Sequence, residues 1–238
     1  MVLDCANGVG ALPMERIKES IESHIDIGLV NTATDNPLVL NEGCGAEFVH
    51  KEGKLPSQFP DDDSVVKGAS FDGDADRLIY YFRRDDGKID IIDGDKQFSY
   101  LMMYVKELLF ALNIQNEVSH VLVNTAYANS KALSFINDQK INTVMVPTGV
   151  KNAHPVVQRY VIGANDEPNG HGTICVKWEE LDRALQGKED RLEAKKLRAF
   201  LNITNIYVGD AIANLLMIEA VLRDRGESIE SLNEKYVE

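Results

Sequence analysis

An acidic loop in the first half of the sequence has the residue types of a metal site. Residues 72–77 read Asp-Gly-Asp-Ala-Asp-Arg and directly follow a strand-like run that ends at Phe71. Because alternate side chains of extended backbone point the same way, we expect Asp72, Asp74 and Asp76 to converge on one point. Neighbouring carboxylates repel each other unless a cation neutralises them, and an all-oxygen ligand set suits Mg²⁺. Arg77 adds a planar guanidinium suited to phosphate oxygens.

Two weaker segments lie further along the chain. Residues 167–173 read Glu-Pro-Asn-Gly-His-Gly-Thr, and residues 148–151 read Thr-Gly-Val-Lys. Glu167 and Asn169 can hydrogen-bond neighbouring sugar hydroxyls, and a Gly-containing turn before a helix can hold a hydroxyl or a phosphate. Taken alone, the first segment is also compatible with a simple polar hairpin and the second with an ordinary turn.

The elements that must position these residues alternate between strand-like and helix-like patterns, which is typical of α/β domains. Residues 31–63 are rich in Asn, Gly, Pro and Asp and are predicted to be a loop. Asp85-Asp86-Gly87 predicts a hairpin turn. The remaining predicted strands are 2–6, 67–71, 78–82, 88–92, 121–123, 143–146, 161–164 and 173–176, and the predicted helices are 12–23, 96–112, 130–138, 151–160, 179–201 and 210–223.

The alternation restarts at Val121 after a polar stretch. We therefore predict two mixed α/β domains that meet near residue 115, namely 1–115 and 116–238. With 238 residues, the chain is long enough for one large or two medium domains.

Composition limits the classes of partner. The net charge of −13 argues against a nucleic-acid partner, because polyanion binders are usually basic. No apolar run is long enough to span a bilayer. Three widely spaced cysteines and a start without a basic signal region lead us to expect a reducing cytoplasm.

Together the three segments resemble motifs of the α-D-phosphohexomutase superfamily, and more closely those of its phosphoacetylglucosamine mutase branch. The metal loop of that branch is D-G-D-A-D-R, here Asp72 to Arg77. Its T-G-V-K motif corresponds to Thr148 to Lys151, and its E-A-N-G-H-G-T motif to Glu167 to Thr173, with Pro168 in place of the usual Ala. Similar stretches occur in the same order along nearly the whole chain: Asn7 to Ala11, Cys44 to Val49, Ile92 to Lys96, Thr125 to Asn129, Val208 to Ile212 and Ile218 to Ala220.

The resemblance implies a role for each matching residue. Asp72, Asp74 and Asp76 would bind Mg²⁺, and Arg77 would contact the reactive phosphate. Glu167 and Asn169 would hold sugar hydroxyls, with His171 supporting or bordering their loop. Thr148, Gly149 and Lys151 would line the sugar side. The implied substrate is a phosphorylated amino sugar, and the implied reaction interconverts N-acetylglucosamine 6-phosphate and N-acetylglucosamine 1-phosphate in UDP-N-acetylglucosamine biosynthesis.

The resemblance also implies two parts that this sequence lacks. One is an N-terminal domain whose T-A-S-H-N-P type loop carries a phosphoserine, and the other is a C-terminal domain whose R-x-S-G-T-E type loop grips phosphate. We therefore expect domains two and three of a four-domain enzyme, inactive by themselves.

Two alternative functions are compatible with the residues. Asp72 and Asp74 fit the D-x-D spacing of a haloacid-dehalogenase-type phosphatase, with Asp72 as the nucleophile. A non-catalytic sugar-phosphate- or metal-binding module would fit the missing serine.

Overall fold

The computed structural model describes residues 1–62, 67–84, 86–205 and 208–236. The chain divides into two compact units. Unit 1 comprises Met1–Asp93 with Asn169–His171, and unit 2 comprises Gly94–Pro168 with Gly172–Glu238. The units separate at Asp93 and Gly94, earlier than the predicted boundary near residue 115. The reason is that the helix starting at Gly94 packs against strands of the second sheet.

Unit 1 is built on a five-stranded mixed sheet of order β2-β1-β3-β4-β5. Strand β1 is parallel to β2 and β3, whereas β3, β4 and β5 are antiparallel. Its elements in chain order are β1 Val2–Asp4, α1 Ala11–Ile21, β2 Gly28–Val30, a 3₁₀ turn Pro37–Val39, α2 Ala46–Glu52, β3 Lys67–Phe71, β4 Leu78–Arg83 and β5 Ile89–Ile92.

One face of this sheet is covered by α2. Its buried Ala46 and Val49 pack with Ile79 and Tyr81 of β4. The helix lies within residues 31–63, which were predicted to be a loop, so that prediction was wrong for this stretch; residue 63 itself lies outside the described residues. The sequence pattern did not predict this helix because it is only seven residues long. It lies between Gly45 and Gly53, which both have positive φ angles. Strand β2, only three residues long, was also missed.

Unit 2 contains a four-stranded sheet of order β7-β6-β8-β9, in which only the β8–β9 pair is antiparallel. Its elements in chain order are α3 Gly94–Ala111, β6 His120–Thr125, α4 Ser130–Asp138, β7 Thr143–Val146, α5 Val150–Val157, β8 Ile162–Asp166, β9 Gly172–Val176, α6 Trp178–Ala184, α7 Leu192–Ile203, α8 Ala211–Arg225 and α9 Ile229–Glu234.

Helices α3 and α5 both pack against β6 and β8. The residues that form the apolar face of α3 are all buried: Phe98, Leu101, Met102, Val105, Leu108 and Leu109. Residues 179–201, predicted as one helix, form α6 and α7 instead. Gly187 lies between them at φ +76° and interrupts the helical path.

The predicted fold class of two mixed α/β domains is confirmed by the two separate mixed sheets. The hairpin joining β4 and β5 is present, although Asp85 of its predicted turn lies outside the described residues. Among the residues that the structure describes, no helix has the length and apolar character needed to cross a membrane.

Candidate functional site

The acidic loop of unit 1 lies between the end of β3 at Phe71 and the start of β4 at Leu78. The carboxylates of Asp72, Asp74 and Asp76 each offer an oxygen atom, and these oxygens all lie within 4.8 Å of one another. The structure thus brings the three aspartates together, but by a turn rather than by the extended backbone assumed from the sequence. Ala75 adopts a left-handed conformation at φ +58°, and its amide donates to the Asp72 carbonyl at 3.2 Å.

The Asp72 side chain organises this turn. Its Oδ1 accepts hydrogen bonds from the backbone amides of Asp76 and Arg77, both at 3.1 Å. Asp72 is only 9% exposed, and burial raises the pKa of its carboxyl to about 7. The charges of Asp76 and Asp74 raise this pKa further, while the Arg77 amide lowers it. The loop therefore holds a carboxylate whose charge is poorly stabilised without a cation.

Arg77 lies beside these carboxylates. Its Nε is 3.5 Å from Asp72 Oδ2 and 3.7 Å from Asp76 Oδ1, and its Nη1 is 3.8 Å from Glu47 Oε2. These distances give ion pairs rather than hydrogen bonds. Arg77 Nε and Asp76 Oδ1 are both buried with no hydrogen-bond partner. The guanidinium and the carboxylate therefore keep capacity for a further partner.

The turn Asn7-Gly8-Val9-Gly10 packs against the acidic loop. The Val9 amide donates to the Gly73 carbonyl at 3.0 Å. A Cβ atom on Gly8 would lie 2.3 Å from that same carbonyl oxygen, so only glycine permits this close approach.

Asn169–His171 is the second segment that unit 1 brings to the acidic loop. The Leu78 amide donates to the Gly170 carbonyl at 3.1 Å, and Arg77 and His171 form an antiparallel bridge. His171 Nε2 lies 3.8 Å from Asp76 Oδ2, and the His171 amide donates to Asn169 Oδ1 at 3.0 Å. Asn169 and His171 therefore belong to the same local cluster as the three aspartates.

The other predicted residues lie in unit 2. Thr148 and Gly149 follow β7, Lys151 lies in the first turn of α5, and Glu167 follows β8. Because β7, β6 and β8 are parallel, all four lie at the carboxyl edge of one sheet, where α/β folds commonly bind ligands. Asn152 Nδ2 donates to the carbonyls of Pro147 and Thr148 at 3.2 and 3.0 Å, which holds the turn.

Sequence reasoning gave no role to Glu47, although it is an ion-pair partner of Arg77. Its side chain is 56% exposed and lies in the first turn of α2. The available signal was its place in the Cys44–Val49 stretch that carries part of the family resemblance.

Comparisons with known proteins show which proteins this chain resembles. The family model described as Phosphoacetylglucosamine mutase AMG1, domain III, matches residues 93–226, which is more than half of the chain. The phosphoacetylglucosamine mutase of Arabidopsis thaliana is 37% identical over 252 residues, which cover 99% of this chain and 45% of that protein.

Solved structures give a similar result. The apo-form crystal structure of an N-acetylglucosamine-phosphate mutase of the alpha-D-phosphohexomutase superfamily superposes with a TM-score of 0.91 and 32% identity, covering 100% of this chain and 53% of that one. The Aspergillus fumigatus N-acetylphosphoglucosamine mutase, solved in complex with GlcNAc-6P and magnesium, gives a TM-score of 0.91 and 30% identity, with 100% and 49% covered. The chain thus spans about half the length of the relatives it matches.

Proposed function

Since the chain belongs to the phosphoacetylglucosamine mutase family, we propose that it supplies the metal-binding and sugar-binding parts of an enzyme that interconverts N-acetylglucosamine 6-phosphate and N-acetylglucosamine 1-phosphate. The enzyme is an isomerase that works through phosphoryl transfer. Its product feeds UDP-N-acetylglucosamine biosynthesis, and the wide spacing of the three cysteines in the sequence supports a cytoplasmic location.

The observation that carries this proposal is the cluster at the end of β3. Three carboxylates lie within 4.8 Å of one another, with the Arg77 guanidinium 3.5 Å from Asp72. Phosphoryl transfer depends mainly on positioning and on neutralising phosphate charge. A cation site next to an arginine provides both.

The residues of the cluster fit Mg²⁺. They offer only oxygen ligands, which this hard ion prefers, and Asp76 Oδ1 is buried without a hydrogen-bond donor. The raised pKa of Asp72 also fits a cation site. Burial and the neighbouring carboxylates disfavour its charged form, and a bound cation would supply the missing counter-charge. When bound, Mg²⁺ would neutralise negative charge on the phosphoryl group.

Arg77 binds phosphate in this proposal. Its side chain is 34% exposed and is held between Asp72, Asp76 and Glu47 at 3.5–3.8 Å. These carboxylates orient the guanidinium but lie too far away to form hydrogen bonds with it. Its N–H groups can therefore donate to phosphate oxygens. The phosphoserine that the reaction requires comes from a loop of the T-A-S-H-N-P type, a pattern that does not occur in the 238 residues.

The two remaining motifs, residues 148–151 and 167–173, bind the sugar in this proposal. Glu167 and Asn169 bind hydroxyl groups, and His171 supports their loop through its contact with Asp76. Thr148, Gly149 and Lys151 line the sugar side. In the proposed reaction the sugar receives one phosphoryl group from the phosphoserine, reorients, and returns its other phosphoryl group. If equivalent pairs of hydroxyl groups are available in both sugar orientations, the same residues can bind the sugar in both steps.

Calorimetric titration with Mg²⁺ tests the metal site. The wild-type chain should bind one ion, and Asp74→Ala should weaken binding because it removes one of three charged ligands. Asp61→Ala, which removes an exposed aspartate of unit 1 outside the cluster, is the matched control and should bind as the wild type does. Equal heats for wild type and Asp74→Ala would contradict the proposal.

A further inference from the structure

Asp4 is a buried carboxylate that the proposed reaction does not use. It ends β1 and has no solvent exposure. Its Oδ1 accepts hydrogen bonds from the Ala6 amide and Asn31 Nδ2, both at 2.9 Å. Its Oδ2 accepts from the Gly45 amide at 2.6 Å and from Ser70 Oγ at 2.8 Å. One side chain therefore joins four separate segments of unit 1.

The first link leads into the acidic loop along β3. Asp4 and Ser70 are register partners in the parallel β1–β3 pair. Ser70 lies two positions before Asp72, the residue whose carboxylate organises the loop. Loss of the Asp4–Ser70 hydrogen bond should therefore shift the end of β3, from which the acidic loop starts.

The second link runs from Asp4 to the turn that packs against the acidic loop. The bond to the Ala6 amide holds a turn in which Ala6 and Asn7 adopt left-handed conformations at φ +56° and +54°. The left-handed conformation is unfavourable for alanine and persists at Ala6 only because its surroundings hold it. This turn brings Gly8 and Val9 against the carbonyl of Gly73.

The third link reaches the partner of Arg77. Gly45 precedes α2 and no side chain caps that helix, so the Asp4 carboxylate fixes its start through the Gly45 amide. The first turn of α2 carries Glu47, whose Oε2 lies 3.8 Å from Arg77 Nη1.

A neutral amide cannot replace this carboxylate. All four hydrogen bonds place a donor against an Asp4 oxygen, so both oxygens act as acceptors. In Asp4→Asn, the NH₂ group would face a backbone amide that can only donate, either that of Ala6 or that of Gly45, and this hydrogen bond would be lost. The shape of the side chain would stay the same, which makes this variant a test of the acceptor pattern.

We propose that Asp4 is a positioning residue that sets the geometry of the Asp72–Arg77 loop, through Ser70, the Ala6–Asn7 turn and Gly45, without touching ion or substrate. This inference rests on the proposed function only where it concerns Mg²⁺. The geometry of the loop can be measured without any metal.

The test compares Asp4→Asn with a matched destabilised variant. Ile92→Ala removes a buried side chain on β5, at the far edge of the same sheet from β2, where Ile92 pairs with Tyr80 of β4. Hydrogen exchange is measured in EDTA at the amides of Asp76 and Arg77, which bond to Asp72 Oδ1. Mg²⁺ affinity is measured by calorimetry, and thermal unfolding is recorded for each protein.

We expect Asp4→Asn to speed exchange at both amides and to lower Mg²⁺ affinity by about ten- to hundredfold, as loss of groups that orient metal ligands commonly does. Ile92→Ala, even with an equal or larger loss in unfolding temperature, should leave both readings unchanged. Unchanged exchange in folded Asp4→Asn would overturn the inference, and so would an equal change in Ile92→Ala.

Two further outcomes remain decisive. If the wild-type chain binds no Mg²⁺, the proposed metal site fails, and the exchange comparison alone decides the role of Asp4. If Asp4→Asn does not fold, Ser70→Ala takes its place, because it removes one donor and leaves the carboxylate. A folded Ser70→Ala with wild-type exchange at Asp76 and Arg77 would then reject the inference.

Discussion

Asp72 has two opposing roles in the acidic loop. Its Oδ1 holds the turn through two backbone amides, which stabilises the fold. Its charge, however, is nearly buried and lies close to the carboxylates of Asp74 and Asp76. Ligand groups that repel one another in the absence of their cation usually lower stability in exchange for function.

This conflict predicts an uncommon result for Asp72→Asn. The amide oxygen can keep both backbone hydrogen bonds while the charge is removed, and Arg77 keeps Asp76 and Glu47 as partners. In EDTA the variant should be more stable than the wild type by on the order of 1 kcal/mol, because removing a poorly compensated buried charge is often stabilising. Added Mg²⁺ should raise the unfolding temperature of the wild type and leave that of the variant unchanged.

Asp72→Ala serves as the control for this prediction. It removes the charge and the acceptor together, so the turn should lose both hydrogen bonds and the protein should become less stable in EDTA. An Asp72→Asn protein less stable than the wild type in EDTA would show that the charge does not strain the loop.

At the residue scale, the sequence predicted which side chains would meet but not how. The grouping of Asp72, Asp74 and Asp76 could be predicted because they are close in sequence. The left-handed Ala75 could not, since alanine has no preference for that conformation and it depends on the support of Gly8 and Val9. Asp4 was missed for a related reason: its four partners come together only in the folded chain.

At the element scale, local patterns predicted the strongly periodic segments well. Residues 130–138 and 143–146 form α4 and β7 with the predicted bounds. Short or irregular elements were lost, as for α2 and β2, because a few residues give too little periodicity. The predicted helix 179–201 failed at Gly187, where a left-handed residue separates two helices that share similar composition.

The docking of the segment 169–171 on β4 gives a prediction with an internal control. Gly170 has φ +93°, and a Cβ there would lie 2.2 Å from the Leu78 carbonyl oxygen. Gly187 also has a positive φ, of +76°, but its Cβ would have no atom within 4 Å. Gly187→Ala should therefore cost only the backbone penalty of roughly 1 kcal/mol.

Gly170→Ala should cost about 3 kcal/mol, because a steric conflict with backbone is added to the same penalty. It should also disturb Asn169 and His171 and lower Mg²⁺ affinity through the contact between His171 and Asp76. Urea unfolding and calorimetry measure the two effects. Equal losses of stability in the two variants would mean that the segment does not pack closely on β4.

At the scale of the whole molecule, the order of the chain conceals how the site residues are distributed. The segment Asn169–His171 belongs to unit 1, although β8 and β9 on either side of it belong to unit 2. Three consecutive residues of a polar hairpin carry no signal of such an exchange. By contrast, the fold class could be predicted, because strand–helix alternation extends over the whole sequence.

The last prediction concerns turnover by the 238-residue chain. The proposed reaction needs a covalent phosphoryl carrier, and removing such a nucleophile leaves little of a mechanism that depends on it. The matched relatives are about twice as long, since the chain covers 45% of the Arabidopsis protein. The binding energy supplied by the rest of such a protein, which orients the sugar phosphate, would also be missing. A coupled assay with N-acetylglucosamine 6-phosphate, Mg²⁺ and a sugar bisphosphate primer should therefore give background rates, while calorimetry still detects Mg²⁺. Phosphate release from a simple aryl phosphate, lost in Asp72→Asn, would instead support Asp72 as a nucleophile. Mutase turnover well above background that is lost in Asp72→Ala would show that this chain contains a catalytic group that we have not assigned.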